Sequence, residues 1–275
     1  MPVREGSNGT DRWHGQRVLV TGASSGIGRA TALAFAAAGA TVGICARRAD
    51  RLAEVLAECN AYTGGARMWA VDLADLDGIA TFADTARREL GGVDVLVNNA
   101  GVPKRRTVLE MTPDDVEGVM AINYFAPVRL TTALLPSMIE RGTGAVVNVS
   151  SMGVHSAAYR VGAYAASKAA LELYTEALHL ELADTGVQAL LFVPGTTRTE
   201  FSTPKPGNDP PFPQDPASIA EPDDVARALV ESIGSPDFVR YATPRDEARA
   251  RKKNEDVNAF VATMWSHFSR PKESS

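Results

Sequence analysis

The chain has 275 residues, 45% of them hydrophobic and 22% charged, enough apolar material for a sizeable buried core. Its net charge of −5 excludes the basic balance of a dedicated nucleic-acid binder. Two cysteines, Cys45 and Cys59, stand outside any metal-ligand spacing and read as free thiols of a reducing compartment.

The first thirteen residues, MPVREGSNGTDRW, are polar and read as a loose tail without a signal segment. QRVLVTG then reads as a buried strand, GRATALAFAAAGA as a helix closed by Gly39, TVGICA as a strand and ADRLAEVLAECNAY as a helix. ARMWAVDL (strand), DLDGIATFADTARREL (helix) and VDVLVNNAG (strand) follow. One long helix is expected over 113–141, a strand over GAVVNVSS, a helix around 159–183 and a strand over VQALLFVPG. Short apolar strands alternating with helices predict a doubly wound α/β domain with a mostly parallel, seven-stranded sheet over 14–245. No apolar run reaches the ~20 residues of a bilayer span, which predicts a cytoplasmic protein without a membrane segment. After Gly195 the proline-rich Thr203–Pro216 stretch reads as a loop. EPDDVARALVESI restores a helix, DFVRYATP supplies the seventh strand, and Arg245–Phe268 reads as one more helix within an extension over 246–275.

TGASSGIG, Thr21 to Gly28, sits between the first strand and the first helix, where glycine spacing carries meaning. Gly22 permits a tight turn, Gly26 a close backbone approach to a pyrophosphate, and Gly28 helix–strand packing. The helix amino terminus offers free N–H groups to phosphate. At the end of the second strand Arg47 and Arg48 stand where a carboxylate would bind the 2′-hydroxyl of NAD(H). Planar guanidinium groups suit a 2′-phosphate, so NADP(H) is favoured over NAD(H). Asp72 closes the third strand within reach of an adenine.

The motifs TGASSGIG, NNAG, Asn123 in MAINYF, Ser151 thirteen residues before Tyr164, YAASK and PGTTRT occur in order over about 14–200. Together they resemble the short-chain dehydrogenase/reductase family. The resemblance implies hydride transfer between a nicotinamide and a carbonyl/alcohol pair, with Tyr164 as general acid and Ser151 on the substrate oxygen. It further implies that Lys168 lowers the Tyr164 pKa and holds the nicotinamide ribose, and that Asn123 orders a water near Lys168. It places Ser24, Ser25, Ile27, Leu73, Asn99, Ala100, Gly101, Pro194, Gly195, Thr197 and Thr199 around the cofactor, beside the glycines and arginines already named. It needs no metal, and none has a visible ligand set. Residues about 200–220 fall at the family's substrate lid, with Phe201 and Phe212 under it. Lys104, Arg105 and Arg106 read as a solvated loop, with contact to an anionic substrate group such as the phosphates of a thioester carrier as the alternative; Ser150 reads as packing or capping beside Ser151, and His155 as showing no pairing that suggests catalysis. The resemblance also implies a homo-oligomer, dimer or tetramer. Two other readings stand beside the ketone or aldehyde reductase: reduction of an acyl thioester or long-chain aldehyde, which part of the sequence resembles, and a catalytically silent NADP(H)-binding sensor or scaffold.

Overall fold

The computed structural model describes residues 12–156, 158–204, 206–210, 212 and 215–268. Seven strands, β1 (Arg17–Thr21), β2 (Thr41–Ala46), β3 (Arg67–Ala70), β4 (Val95–Asn98), β5 (Gly144–Val149), β6 (Val187–Val193) and β7 (Val239–Tyr241), form one sheet. Their order is β3-β2-β1-β4-β5-β6-β7 and every pairing is parallel. The chain builds outward from β1 in one direction, then restarts at β4 and builds in the other. The carboxyl ends of β1 and β4 therefore diverge into a crevice.

Alternation along β1 shows how the sheet is covered. Val18 and Val20 point into one core with Phe35, Leu52, Val225 and Leu229, from helices α1 (Gly26–Ala37), α2 (Ala49–Asn60) and α7 (Pro222–Ser232). Leu19 points into the other core, with Phe82, Leu130, Leu134, Met138 and Leu178. These come from α3 (Ile79–Leu90), α5 (Ala126–Arg141) and α6 (Gly162–Glu181). Both faces of the parallel sheet are thereby sealed from water.

The expected long helix over 113–141 is continuous but not uniform. It opens as α4 (Pro113–Met120) on a Thr112–Asp115 capping box, passes through a π-helical turn at Ala121–Phe125, and continues as α5 to Gly142, which ends it at φ 67. By length and composition this segment resembles a bilayer span, yet Leu130, Leu134 and Met138 are buried against the sheet. The extra residue of the π turn sets Asn123 fully inside the protein.

Other boundaries also differ. α3 begins at Ile79 rather than at the aspartates before it. The tail expected through residue 13 lies outside the described residues only up to residue 11, and Trp13 belongs to the core, edge-on to Phe35 at 4.9 Å. Arg12 lies over the Trp13 ring and donates to the Ile233 carbonyl, which ties this end to the helix α7 layer. The expected single carboxyl-terminal helix is two, α8 (Pro244–Glu255) and α9 (Val257–Phe268). Asp256 between them is extended and its carboxylate accepts from the Ala259 N–H at 2.9 Å, so it ends one helix and caps the next. α8 is no separate appendage. Its first turn buries Asp246 against Gly195, where a Cβ would stand 2.2 Å from the carboxylate.

Candidate active site

A cleft of about 910 Å³ follows the carboxyl ends of the strands. Every residue expected around the dinucleotide lines it, as do Ser151, Tyr164 and Lys168. Asn123 does not; it lies behind the cleft wall.

The dinucleotide end is built for close approach. Gly22 has φ +68, and a Cβ there would stand 2.8 Å from the Ala100 Cα. A Cβ on Gly28 would meet the Asn99 amide nitrogen at 2.4 Å. That amide is fixed, donating to the Thr21 carbonyl at 2.9 Å, while the Thr21 hydroxyl accepts from the Asn99 and Ala100 N–H groups at 3.0 Å each. Ser25 caps α1 by position without a side-chain bond to it, and the first turn holds no acidic residue. A helix start left with free N–H groups and no counter-charge, beneath glycines a side chain would crowd, fits a pyrophosphate.

Arg47 is exposed on the cleft rim. Arg48 is more engaged than the sequence suggests. It donates to Ser24 Oγ at 3.2 and 3.0 Å, to Ser25 Oγ at 2.8 Å and to Glu200 at 2.8 Å. Arg51 grips the same carboxylate, and the two guanidinium groups hold the Glu200 pKa down at about 2. Glu200 thus ties the segment after Thr199 to α2. Asp72 is exposed, with one oxygen accepting from the Ala74 N–H at 3.0 Å.

At the other end Tyr164 and Lys168 occupy successive turns of one face of α6. Tyr164 is hydrogen-bonded to Ser151, whose Oγ also accepts from the Gly153 N–H at 3.0 Å. The expected lowering of the Tyr164 pKa by Lys168 is not what this geometry produces. Burial dominates and, against the opposing Ser151 bond, pushes Tyr164 up to about 12. Lys168, 3% exposed, turns its ammonium to the Val149 carbonyl at 2.7 Å. Burial brings it down to about 8, opposed by the charge of Glu172.

Asn123 is a clamp. Its Oδ1 accepts from the Val102 N–H at 2.8 Å, and its Nδ2 donates to the Val102 carbonyl at 3.1 Å and to Ser167 Oγ at 3.0 Å. Gly101 fits between this amide and Lys168; a Cβ there would stand 3.3 Å from Asn123 Oδ1 and 3.6 Å from Lys168 Nζ.

His155 Nε2 lies 3.1 Å from Glu172 Oε1, the oxygen that also accepts from Ser150 Oγ. Lys104, Arg105 and Arg106 are not a solvated loop. Lys104 pairs with Asp115, Arg105 is 6% exposed, and Arg106 donates to the Gly207 carbonyl at 3.0 Å. Ser150 does more than pack, since it holds Glu172. Glu172 was visible in YAASKAALE one turn beyond Lys168, a spacing that puts it on the same face. Lys253 of α8, which no motif marks, donates to the Val154 and Ser156 carbonyls at 2.6 and 3.2 Å and braces the Ser151 loop. In the proline-rich stretch, residues 205, 211, 213 and 214 lie outside the described residues; Phe201 and Phe212 both line the cleft, with Phe201 5.6 Å from the Tyr164 ring.

Glu172 has a testable electrical role. Its carboxylate stabilises the Lys168 ammonium, so its loss lets that group deprotonate at lower pH. In Glu172→Gln the alkaline limb of the pH–rate profile for reduction is expected to move to lower pH. A limb that stays in place while activity falls would reduce Glu172 to packing.

Residues 16–209 match the short chain dehydrogenase family. An uncharacterized oxidoreductase of Mycobacterium tuberculosis is 37% identical over 272 residues, covering 93% of this chain and 78% of that protein. A fatty acyl-CoA reductase of Acinetobacter baylyi is 43% identical over 170 residues, covering 61% of this chain and 58% of its own length. Among solved structures, a short-chain dehydrogenase from Streptomyces avermitilis superposes with a TM-score of 0.77 at 33% identity, covering 94% of this chain and 98% of that one. A Sphingobium yanoikuyae short-chain dehydrogenase solved with NADPH gives 0.76 at 26% identity, covering 94% and 98%. With a parallel seven-stranded sheet, the glycine turn and the Ser151–Tyr164–Lys168 corner in register, this chain belongs to the short-chain dehydrogenase family of oxidoreductases.

Proposed function

We propose that the protein reduces a ketone or aldehyde to the alcohol with NADP(H). The observation that carries this reading is the Ser151–Tyr164 contact at the cleft wall, with the Lys168 ammonium buried one turn behind it. A bound dihydronicotinamide would supply the hydride to the carbonyl carbon. Ser151, fixed by the Gly153 N–H, would hold the carbonyl oxygen beside Tyr164. Tyr164 would give its hydroxyl proton to that oxygen, and Lys168 would stabilise the phenolate left behind. Reduction as the direction rests on the NADP(H) reading at Arg47 and Arg48.

For the adenosine end, Arg47 and Arg48 on the rim support a 2′-phosphate, and structural relatives of this chain were solved with NADPH and NADP. NAD(H) remains the alternative cofactor, since a fold neighbour was solved with NAD. Acyl-thioester or long-chain aldehyde reduction is the second substrate reading, favoured by the fatty acyl-CoA reductase relatives and by Phe201 and Phe212 in the cleft. Release of free CoA would distinguish it. The silent sensor is disfavoured by the intact Ser151, Tyr164 and Lys168. We also read the protein as cytoplasmic and homo-oligomeric, a dimer or tetramer; the outward Leu173 and Leu180 of α6 support a paired helix face.

Tyr164→Phe is expected to lower kcat for carbonyl reduction by about 10² to 10⁴ while NADPH binding persists. Equal turnover by both proteins would remove Tyr164 from the reaction. Glu200 shares Arg48 with the proposed phosphate, so Glu200→Gln is expected to raise the NADPH-over-NADH ratio of kcat/KM by up to about fivefold, the scale of an exposed ion pair. A ratio that falls would show that Arg48 does not meet the 2′ position.

A further inference from the structure

Within the loop after Gly101, Arg105 spends its hydrogen bonds, among the described residues, on residues 208 and 209. The Arg105 backbone N–H donates to Asn208 Oδ1 at 2.7 Å and its carbonyl accepts from the Asp209 N–H at 2.8 Å. Its Nε donates to the Asp209 carbonyl at 2.8 Å. Nη2 is left over. Like Arg160 Nε, this N–H₂ group is buried with no hydrogen-bond partner among the described residues, and Arg105 lines the cleft that holds Ser151 and Tyr164.

Local charge sharpens the point. Asp209 is the carboxylate that acts on Arg105, and its Oδ2 already accepts from Arg160 Nη2 at 2.6 Å. Arg106 and Arg160 also share the field of Glu110. Asp115, paired with Lys104, acts on Arg106 as well, so Lys104, Arg105, Arg106 and Arg160 face Asp115, Glu110 and Asp209, and one positive charge is unmatched. Arg160 itself is held at φ 57, the one non-glycine residue with positive φ among those described. Backbone strain and a buried guanidinium with an unsatisfied N–H₂ group in one corner of the cleft mark a place completed by something else.

We propose that Arg105 is the subsite for an anionic oxygen group, carboxylate or phosphate, carried by the substrate away from its reacting carbonyl. The proposal rests on the carbonyl-reductase reading and names the substrate class within it. A planar guanidinium offers such a group paired donors. Phe201 and Phe212 of the same cleft provide apolar contact for the hydrocarbon between the two ends.

Calorimetric titration of hexanoate, hexyl phosphate and 1-hexanol into the full chain saturated with NADP⁺ tests this directly. At least one anion is expected to bind about tenfold or more tightly than the alcohol, and whichever leads identifies the carboxylate or the phosphate. That preference is expected to vanish in Arg105→Gln and to weaken in Arg105→Lys, which keeps the charge without the planar fork. It should survive in Asn208→Ala, which loosens the same contact, and in Arg249→Gln, which removes another cation of the cleft. No anion preference in the wild type, an unchanged preference in Arg105→Gln, or a loss in Asn208→Ala or Arg249→Gln equal to that in Arg105→Gln would overturn the subsite. Reduction of hexanal by NADPH, measured alongside, reports on hydride transfer alone. If it fails while Arg105-dependent anion binding holds, the carbonyl-reductase reading falls and the anion subsite stands.

Discussion

A buried ammonium held by the last carbonyl of a strand organises this cleft. Lys168 reaches from α6 to Val149, where β5 ends, and does so almost without solvent contact. Ser151 follows Val149 by two residues and Tyr164 precedes Lys168 by one turn, so this single bond brings the strand end and the helix head together. The charge is costly to bury, which is why its pKa falls to about 8. Glu172 limits that fall, and Ser150 and His155 hold Glu172 in place. The proposed reacting corner is therefore one end of a polar cluster that includes Lys168, Glu172, Ser150 and His155.

Much of this was legible in the residues. The β-branched runs and their glycine ends announced the sheet, because parallel strands buried on both faces need continuous apolar sequence. The glycines at 22, 26 and 28 announced a close-packed strand–helix turn, because only the absence of a Cβ lets Ala100, Thr199 and Asn99 come so near. What escaped depends on tertiary geometry. The π turn at Asn123 leaves no mark in hydrophobic periodicity, since one extra residue shifts the phase only from that point on. The rise in the Tyr164 pKa is set by burial, which a Tyr-to-Lys spacing does not report. The basic run at 104–106 looked solvated because its partners, Asp115 and residues 207–209, are remote in sequence.

The segment after Thr199 is held unequally. Glu200 is bound by Arg48 and Arg51 in an exposed cluster, an arrangement that contributes little and is screened by salt. Arg105 and Arg160 hold residues 208 and 209 through part-buried bonds. α8 braces the cleft as well, with Asp246 against Gly195 and Lys253 on the Ser151 loop.

In the proposed reaction the Lys168 ammonium, pinned to Val149, makes Tyr164 and Ser151 a working corner. Single-turnover reduction with NADPH deuterated on the transferring face of nicotinamide C4, compared between wild type and Lys168→Met, tests it most directly. Deuterium is predicted to appear on the product's former carbonyl carbon in the wild type, with the rate reduced at least about 100-fold in a folded Lys168→Met. Undiminished label transfer in Lys168→Met would contradict the account.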